Sequence, residues 1–314
     1  MSKRVKWGIA LLMMTVWLGP QGVRAGEIEG RIRVGGLQRS FLAVLPDGVA
    51  PKRLPTVIVL HGALMNGRWM RKTLGLDPIA RKEGILAVYP DGLNRIWNDG
   101  RQVQRPLWRR KAVDDVAFLT GLALRLVDDG LADPRRLYLL GVSAGGMMAF
   151  RTACSSDGTF AAVGAVLASM PVDVAATCKP AGGVPMMVIN ATDDPLIPWR
   201  GGALGPKGQH GAVISTMETV DFWRRNNGCE GQAAKRLLPD KNAADGSTVG
   251  AEQYTSCRSG APVVLVTVEG GGHVPPGANI PARGLVTAFL GKENMDISAA
   301  DLSWKFFRQF PSDR

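Results

Sequence analysis

Leu137-Tyr138-Leu139-Leu140-Gly141-Val142-Ser143-Ala144-Gly145-Gly146-Met147-Met148-Ala149-Phe150 is the stretch that decides the fold of this chain. Its first four residues are an apolar run suited to a strand. Gly141 to Gly145 read Gly-x-Ser-x-Gly, and the residues after them suit a helix. A strand, a sharp turn carrying serine and then a helix hold the serine hydroxyl exposed at the strand's end. Such a turn admits only small side chains beside the serine, which Gly141 and Gly145 supply. Ser143 is the candidate nucleophile.

Working outward, Thr56-Val57-Ile58-Val59-Leu60 is a β-branched and aliphatic run ending in His61-Gly62, the pattern of a strand buried on both faces. Residues 85–89, 162–168, 185–189 and 263–268 read as further strands. Helical spacing or composition marks residues 76–82, 113–127, 144–154, 213–226 and 298–310, the last with Leu302, Phe306 and Phe310 on its apolar face. Residues 32–45 read as a hairpin of two antiparallel edge strands around Gly35-Gly36, and residues 230–260 as irregular and polar. Strands alternating with helices predict an α/β class, an α/β-hydrolase fold with a mostly parallel central sheet and helices on both faces.

Lys3, Arg4 and Lys6, then an apolar stretch over residues 7–18 and Val23-Arg24-Ala25, have the form of a signal peptide. Residues 1–25 are therefore expected to be removed and residues 26–314 to form a single catalytic domain, secreted or periplasmic. The apolar stretch is short for a membrane span, and no cysteine precedes Cys154, so no stable membrane anchor is expected. Removing Lys3, Arg4, Lys6 and Arg24 lowers the formal charge from +11 to +7. The basic stretch from Arg101 to Lys111 reads as a solvated loop. It lacks interleaved aromatics, so nucleic acid is not an expected partner. Four cysteines in an exported chain, without a CxxC spacing, predict two disulfides. Three pairings are open. Sequential pairing, Cys154 with Cys178 and Cys229 with Cys257, is favoured because each then closes a local excursion, worth about 3 kcal/mol apiece on a loop-entropy basis.

A serine hydroxyl needs a base to take its proton. The chain holds three histidines, His61, His210 and His273. In this fold the order is nucleophile, acid, histidine, and His273 follows the last predicted strand through Gly270-Gly271-Gly272. The acid belongs on the loop after residues 185–189, where Asp194 is preferred. Pro195 biases it towards an extended conformation, and Asp193 is the competitor. Oxyanion donors are expected from the backbone of Ala144 and of Ala63, with His61 as a structural side chain.

Several segments together resemble the poly(3-hydroxybutyrate) depolymerase-like family of exported esterases, which includes feruloyl and acetylxylan esterases. They are Leu60-His61-Gly62, Tyr89-Pro90-Asp91-Gly92, Trp97-Asn98-Asp99-Gly100-Arg101, Asp114-Asp115-Val116-Ala117-Phe118 and Asp133-Pro134-Arg135-Arg136. The Gly-x-Ser-x-Gly stretch, Thr192-Asp193-Asp194-Pro195 and Gly270-Gly271-Gly272-His273 complete the likeness. The resemblance implies Asp194 as acid, His273 as base, cysteines paired around 154–178 and 229–257, and Asp114 and Asp115 as support beneath the elbow. It also puts Trp97 at the border of the substrate cleft. Two places depart from the family pattern. Asn190-Ala191-Thr192 stands where His-Gly-Thr is frequent, and His273-Val274-Pro275-Pro276-Gly277 lacks a frequent tryptophan.

The expected activity is ester hydrolysis through an acyl-serine, on hydroxyalkanoate oligomers or small acyl esters. Soluble oligomers are favoured over crystalline polymer because no polymer-binding module follows the last helix. Removal of feruloyl or acetyl groups from plant cell-wall polysaccharide is the alternative within the same chemistry, and peptidase activity is open to the same triad. A non-catalytic binding protein is the alternative of another class. No metal cluster, dinucleotide fingerprint or phosphate loop is present, so no cofactor is expected. The expected partner is a small or oligomeric ester substrate, and the oligomeric state is left open.

Overall fold

Glu27-Ile28-Glu29-Gly30-Arg31-Ile32 alternates polar and apolar residues, and this period gives the first strand one face in water. The computed structural model describes residues 26–48, 52–103, 113–155, 157–278 and 285–311. The predicted signal segment, residues 1–25, and most of the basic stretch after Arg101 lie outside them.

The strands are β1 (Glu27–Val34), β2 (Leu37–Val44), β3 (Leu54–Leu60), β4 (Leu86–Pro90), β5 (Ala132–Val142), β6 (Ala162–Val166), β7 (Met186–Ala191), β8 (Gly202–Ala203), β9 (Ala212–Val213), β10 (Ala234–Leu237), β11 (Thr248–Tyr254) and β12 (Val263–Glu269). The helices are α1 (Gly67–Leu74), α2 (Asp77–Glu83), α3 (Asp115–Asp128), α4 (Ala144–Ser155), α5 (Val172–Thr177), α6 (Thr216–Asn227), α7 (Leu285–Leu290) and α8 (Ala299–Phe307).

Ten strands make one sheet in the order β1-β2-β4-β3-β5-β6-β7-β12-β11-β10. Strands β4, β3, β5, β6, β7 and β12 run parallel, and the outer pairs on each side are antiparallel. Every residue of β3, β4, β6 and β7 is buried, because helices cover both faces. On one face Phe118 and Leu122 of α3, Met147 and Phe150 of α4 and Trp223 of α6 share a core. On the other face Met70 and Leu74 of α1, Ala80 of α2 and Trp304 and Phe307 of α8 share a second. The expected mostly parallel α/β architecture is present.

Two readings need correction. Strand β2 is interior, hydrogen-bonded to β4 as well as β1, so only β1 of the hairpin is an edge. Residues 230–260 are not irregular throughout, since β10 and β11 extend the sheet beyond β12. Their polarity reflects position. All four residues of β10 are exposed at the sheet's rim, and β11 buries only Val249, Ala251 and Tyr254. Helices α1, α5 and α7 were not read from the sequence. The cysteines pair sequentially, as favoured: Cys154–Cys178 ties the end of α4 to the end of α5, and Cys229–Cys257 ties the end of α6 to the loop after β11.

Candidate active site

The parallel strands end along one rim, and the loops leaving β5, β7 and β12 bring Ser143, Asp194 and His273 together. Ser143 Oγ lies 2.9 Å from His273 Nε2, although 130 positions separate them in sequence. His273 Nδ1 lies 2.6 Å from Asp194 Oδ2.

Ser143 sits at φ 56°, a left-handed conformation that costs a non-glycine residue about 1–3 kcal/mol. The surroundings hold it there. Its N–H donates to Val166 O at 2.8 Å, and its carbonyl accepts from Met147 N–H at 3.1 Å, opening α4. A Cβ on Gly141 would lie 2.1 Å from Gly145 O, and one on Gly145 would lie 2.4 Å from Leu60 O. Glycine is required at both positions by the close approach of backbone.

Asp194 is 7% exposed, and its Oδ1 accepts the N–H groups of Leu196 and Ile197 at 2.8 Å each. One carboxylate oxygen is thus fixed by the turn after Pro195, and the other faces the imidazole. Asp193 is exposed, with its N–H on Gly271 O and its Oδ1 accepting from the Thr192 hydroxyl. The backbone of His273 is clasped by residues 290–292: Leu290 O accepts its N–H, and Lys292 O accepts that of Gly272.

Ala63 and Ala144 flank Ser143 on the wall of the same cleft. Ala144 opens α4, where the first N–H groups have no partner within the helix. On the loop after β3, the Leu64 N–H donates to Arg95 O and that of Met65 to Gly62 O. Ala63 and Leu64 of that loop line the cleft with Ser143, and a Cβ on Gly62 would lie 3.6 Å from the Ser143 Cβ.

His61 is fully buried and structural. Its Nδ1 donates to Gly62 O at 2.7 Å, and its Nε2 accepts the Gly92 N–H at 2.9 Å. Burial lowers its proton affinity below the ordinary histidine value, so it stays neutral. Trp97 does not border the cleft. It is 2% exposed, its ring lies 4.8 Å from that of His61, and its indole N–H donates to His61 O at 2.9 Å. A large amphipathic ring with one donor found a buried carbonyl, and so props the Ala63 loop from beneath. The acidic pair acts beside this loop. Asp114 caps α3 through the Ala117 N–H, while Asp115 pairs with Arg39 and accepts the Asn98 N–H. Burial pushes the Asp115 carboxyl up, and Arg39 is the main opposing influence.

The cleft over Ser143 encloses about 710 Å³. Leu64 and Phe289, 55% and 65% exposed, stand at its rim, and Met147, Pro195 and Ile197 line it. Arg101 also lines it, so this one residue departs from the solvated reading of its stretch. Its side chain is 7% exposed and paired with Asp99. The hairpin of β8 and β9 supplies Leu204, Pro206 and His210. Glycine-rich composition was the available signal for that hairpin, but its direction over the serine is set by tertiary contacts. Asn190, in place of the frequent family histidine, is buried and bridges β7 to Ala168 and to Thr216 of α6. Among the described residues no cluster of three or more histidine, cysteine or acidic side chains is arranged to hold a metal ion.

The family model described as "Esterase PHB depolymerase" matches residues 39–178. "Putative esterase NocK" of Nocardia uniformis subsp. tsuyamanensis is 31% identical over 288 residues, covering 89% of this chain and 80% of that protein. Feruloyl esterase B of Piromyces equi is 24% identical, over 75% of this chain but 42% of that protein. Among solved structures, the acetyl xylan esterase from Aspergillus awamori has the same fold, with a TM-score of 0.58 at 12% identity, over 90% of this chain and 99% of that one.

Proposed function

The chain belongs to the PHB depolymerase family of esterases, and we propose that it hydrolyses carboxylic esters through an acyl-Ser143 intermediate. The unbroken hydrogen-bonded line Ser143–His273–Asp194, opening onto an apolar cleft, carries this reading. The Ser143 oxygen attacks the ester carbonyl carbon as His273 Nε2 takes its proton, and Asp194 stabilises the imidazolium. The N–H groups of Ala144 and Ala63 receive the carbonyl oxygen as it becomes anionic. The intermediate collapses, the C–O bond breaks, and the departing alcohol takes the proton from His273. Water then gives a proton to His273 and attacks the acyl carbon; as the bond to Ser143 breaks, the serine oxygen takes that proton back from His273 and the acid leaves.

Hydroxyalkanoate oligomers or small acyl esters are the proposed substrates. The relatives named feruloyl esterase B and acetyl xylan esterase support a second reading, release of feruloyl or acetyl groups from cell-wall polysaccharide. We further assign residues 26–314 as one catalytic unit that works outside the cytoplasm, with residues 1–25 as its leader. The two disulfides support an oxidising compartment, and among the described residues no helix is long and apolar enough to cross a membrane.

A fluorophosphonate probe tests the chemistry. Labelling of the wild type but not of Ser143→Ala is expected, and a folded wild type that resists the probe would refute it. Rates on p-nitrophenyl acyl esters, 3-hydroxybutyrate oligomers and methyl ferulate then decide between the two substrate classes.

A further inference from the structure

We propose that the buried Asp99–Arg101 pair sets the ester specificity of the cleft by bracing the β8–β9 hairpin, which makes Arg101 a specificity-determining positioning residue. The inference rests on the reading of Ser143 as nucleophile. Both side chains are almost fully enclosed, at 7% and 5% exposure for Arg101 and Asp99. Arg101 Nε lies 3.0 Å from both Asp99 oxygens and Nη2 lies 2.6 Å from Oδ2, a fork that fixes the plane of the guanidinium. The remaining nitrogen, Nη1, then reaches His210 O at 3.1 Å.

His210 lies in the outer turn of the hairpin, whose strands are two residues each. A hairpin so short has little stability of its own. Its base is anchored by Ile214 N–H on Met170 O and Thr216 N–H on Trp199 O. Its outer turn rests on Arg101. Gly211, at φ +84°, comes so close that a Cβ there would lie 3.0 Å from the Arg101 Cβ. The support continues behind. Gln102 N–H donates to Asp173 of α5, and a Cβ on Gly100 would lie 2.4 Å from a Val174 methyl. Helix α5 is in turn bound to the end of α4 by Cys154–Cys178.

The hairpin walls the cleft through Leu204, Pro206 and His210, whereas the triad hangs from the ends of β5, β7 and β12. Loosening the brace therefore changes the space for the substrate's far end before it changes the reacting groups.

Removing one partner would leave the other charge buried and unpaired. The test therefore uses the double substitution Asp99→Asn/Arg101→Gln, with Arg101→Lys as a second variant that keeps the charge but not the fork. Amide hydrogen exchange is measured over residues 202–213, and kcat and KM on p-nitrophenyl acetate and octanoate. In the double variant the hairpin amides should exchange at least about tenfold faster, while those of β5 and α4 keep their protection. The octanoate-to-acetate ratio of kcat/KM should shift at least about tenfold, through KM, with Arg101→Lys in between. Hairpin exchange equal to wild type would overturn the inference, as would equal loss of kcat on both esters at constant KM. If the wild type neither turns over esters nor takes the fluorophosphonate label, it is the nucleophile assignment that falls, and the exchange measurement still decides whether the brace exists.

Discussion

The segments after β3 and β12 each bring a histidine to the same rim of the sheet, His61 directly and His273 after three glycines, yet the two histidines do opposite things. His61 has a backbone group at each ring nitrogen, a carbonyl at Nδ1 and an N–H at Nε2. His273 has a carboxylate at Nδ1 and a hydroxyl at Nε2. A backbone pair holds one tautomer and permits no proton traffic. A carboxylate on one side and a mobile hydroxyl proton on the other build a relay. The ionisable partners, rather than the residue type or the depth of burial, separate a brace from a base.

Exchanging the proton-transfer partners should break this contrast most severely. Ser143→Ala and His273→Ala should each lower kcat by about 10⁶-fold, checked by burst-free turnover of p-nitrophenyl butyrate, with the circular dichroism spectrum retained. Asp194→Asn should cost about 10⁴-fold, because its amide favours the wrong imidazole tautomer. Asp193→Asn, exposed and bonded to the Thr192 hydroxyl, should stay within about threefold, as expected for a surface change outside the hydrogen-bonded line. The reverse ranking would reassign the acid.

His61→Ala should act on stability, by about 3 kcal/mol in urea unfolding, since it orphans the Gly92 N–H and empties a buried ring site. Its proton linkage sharpens the comparison further. Burial depresses the folded-state value of His61 below 6.5, so below pH 6.5 the unfolded chain takes up a proton that the fold excludes. The stabilisation is complete above that pH and declines as pH falls towards the folded value, by at most about 1.4 kcal/mol per unit. His61→Ala should remove this slope from stability measured between pH 6.5 and 5. A smaller loss of stability than that of His61→Ala is expected of Trp97→Phe, about 1 kcal/mol for its single hydrogen bond to His61 O, read from the unfolding midpoint.

The parallel centre of the sheet was legible because a strand buried on both faces must be written in continuous apolar residues, as in Thr56 to Leu60. Strands β10 and β11 were not, because Ala234–Leu237 at the rim has no buried side, and in β11 the buried Val249, Ala251 and Tyr254 break the period of two. The line Ser143, Asp194, His273 could be anticipated from chain order and from glycines whose need is local. Trp97 could not. Its motif brings it near the rim, but whether an indole faces substrate or a buried carbonyl depends on His61 O, supplied by a segment 36 positions away. Arg101 was hidden for the same reason, because its partner Asp99 is two positions away while the carbonyl it supports is 109 positions away.

Cys154–Cys178 has a practical consequence for anyone producing the protein. Helix α4 begins just after the nucleophile and carries Cys154 in its last turn, while Cys178 closes the helix on which the Gly100–Gln102 loop rests. Material made in a glutathione-rich cytosol would carry free thiols there. Such preparations should unfold at lower temperature than periplasmic ones and bind large esters poorly, and treating the folded protein with an oxidised thiol mixture should bring the two batches into agreement.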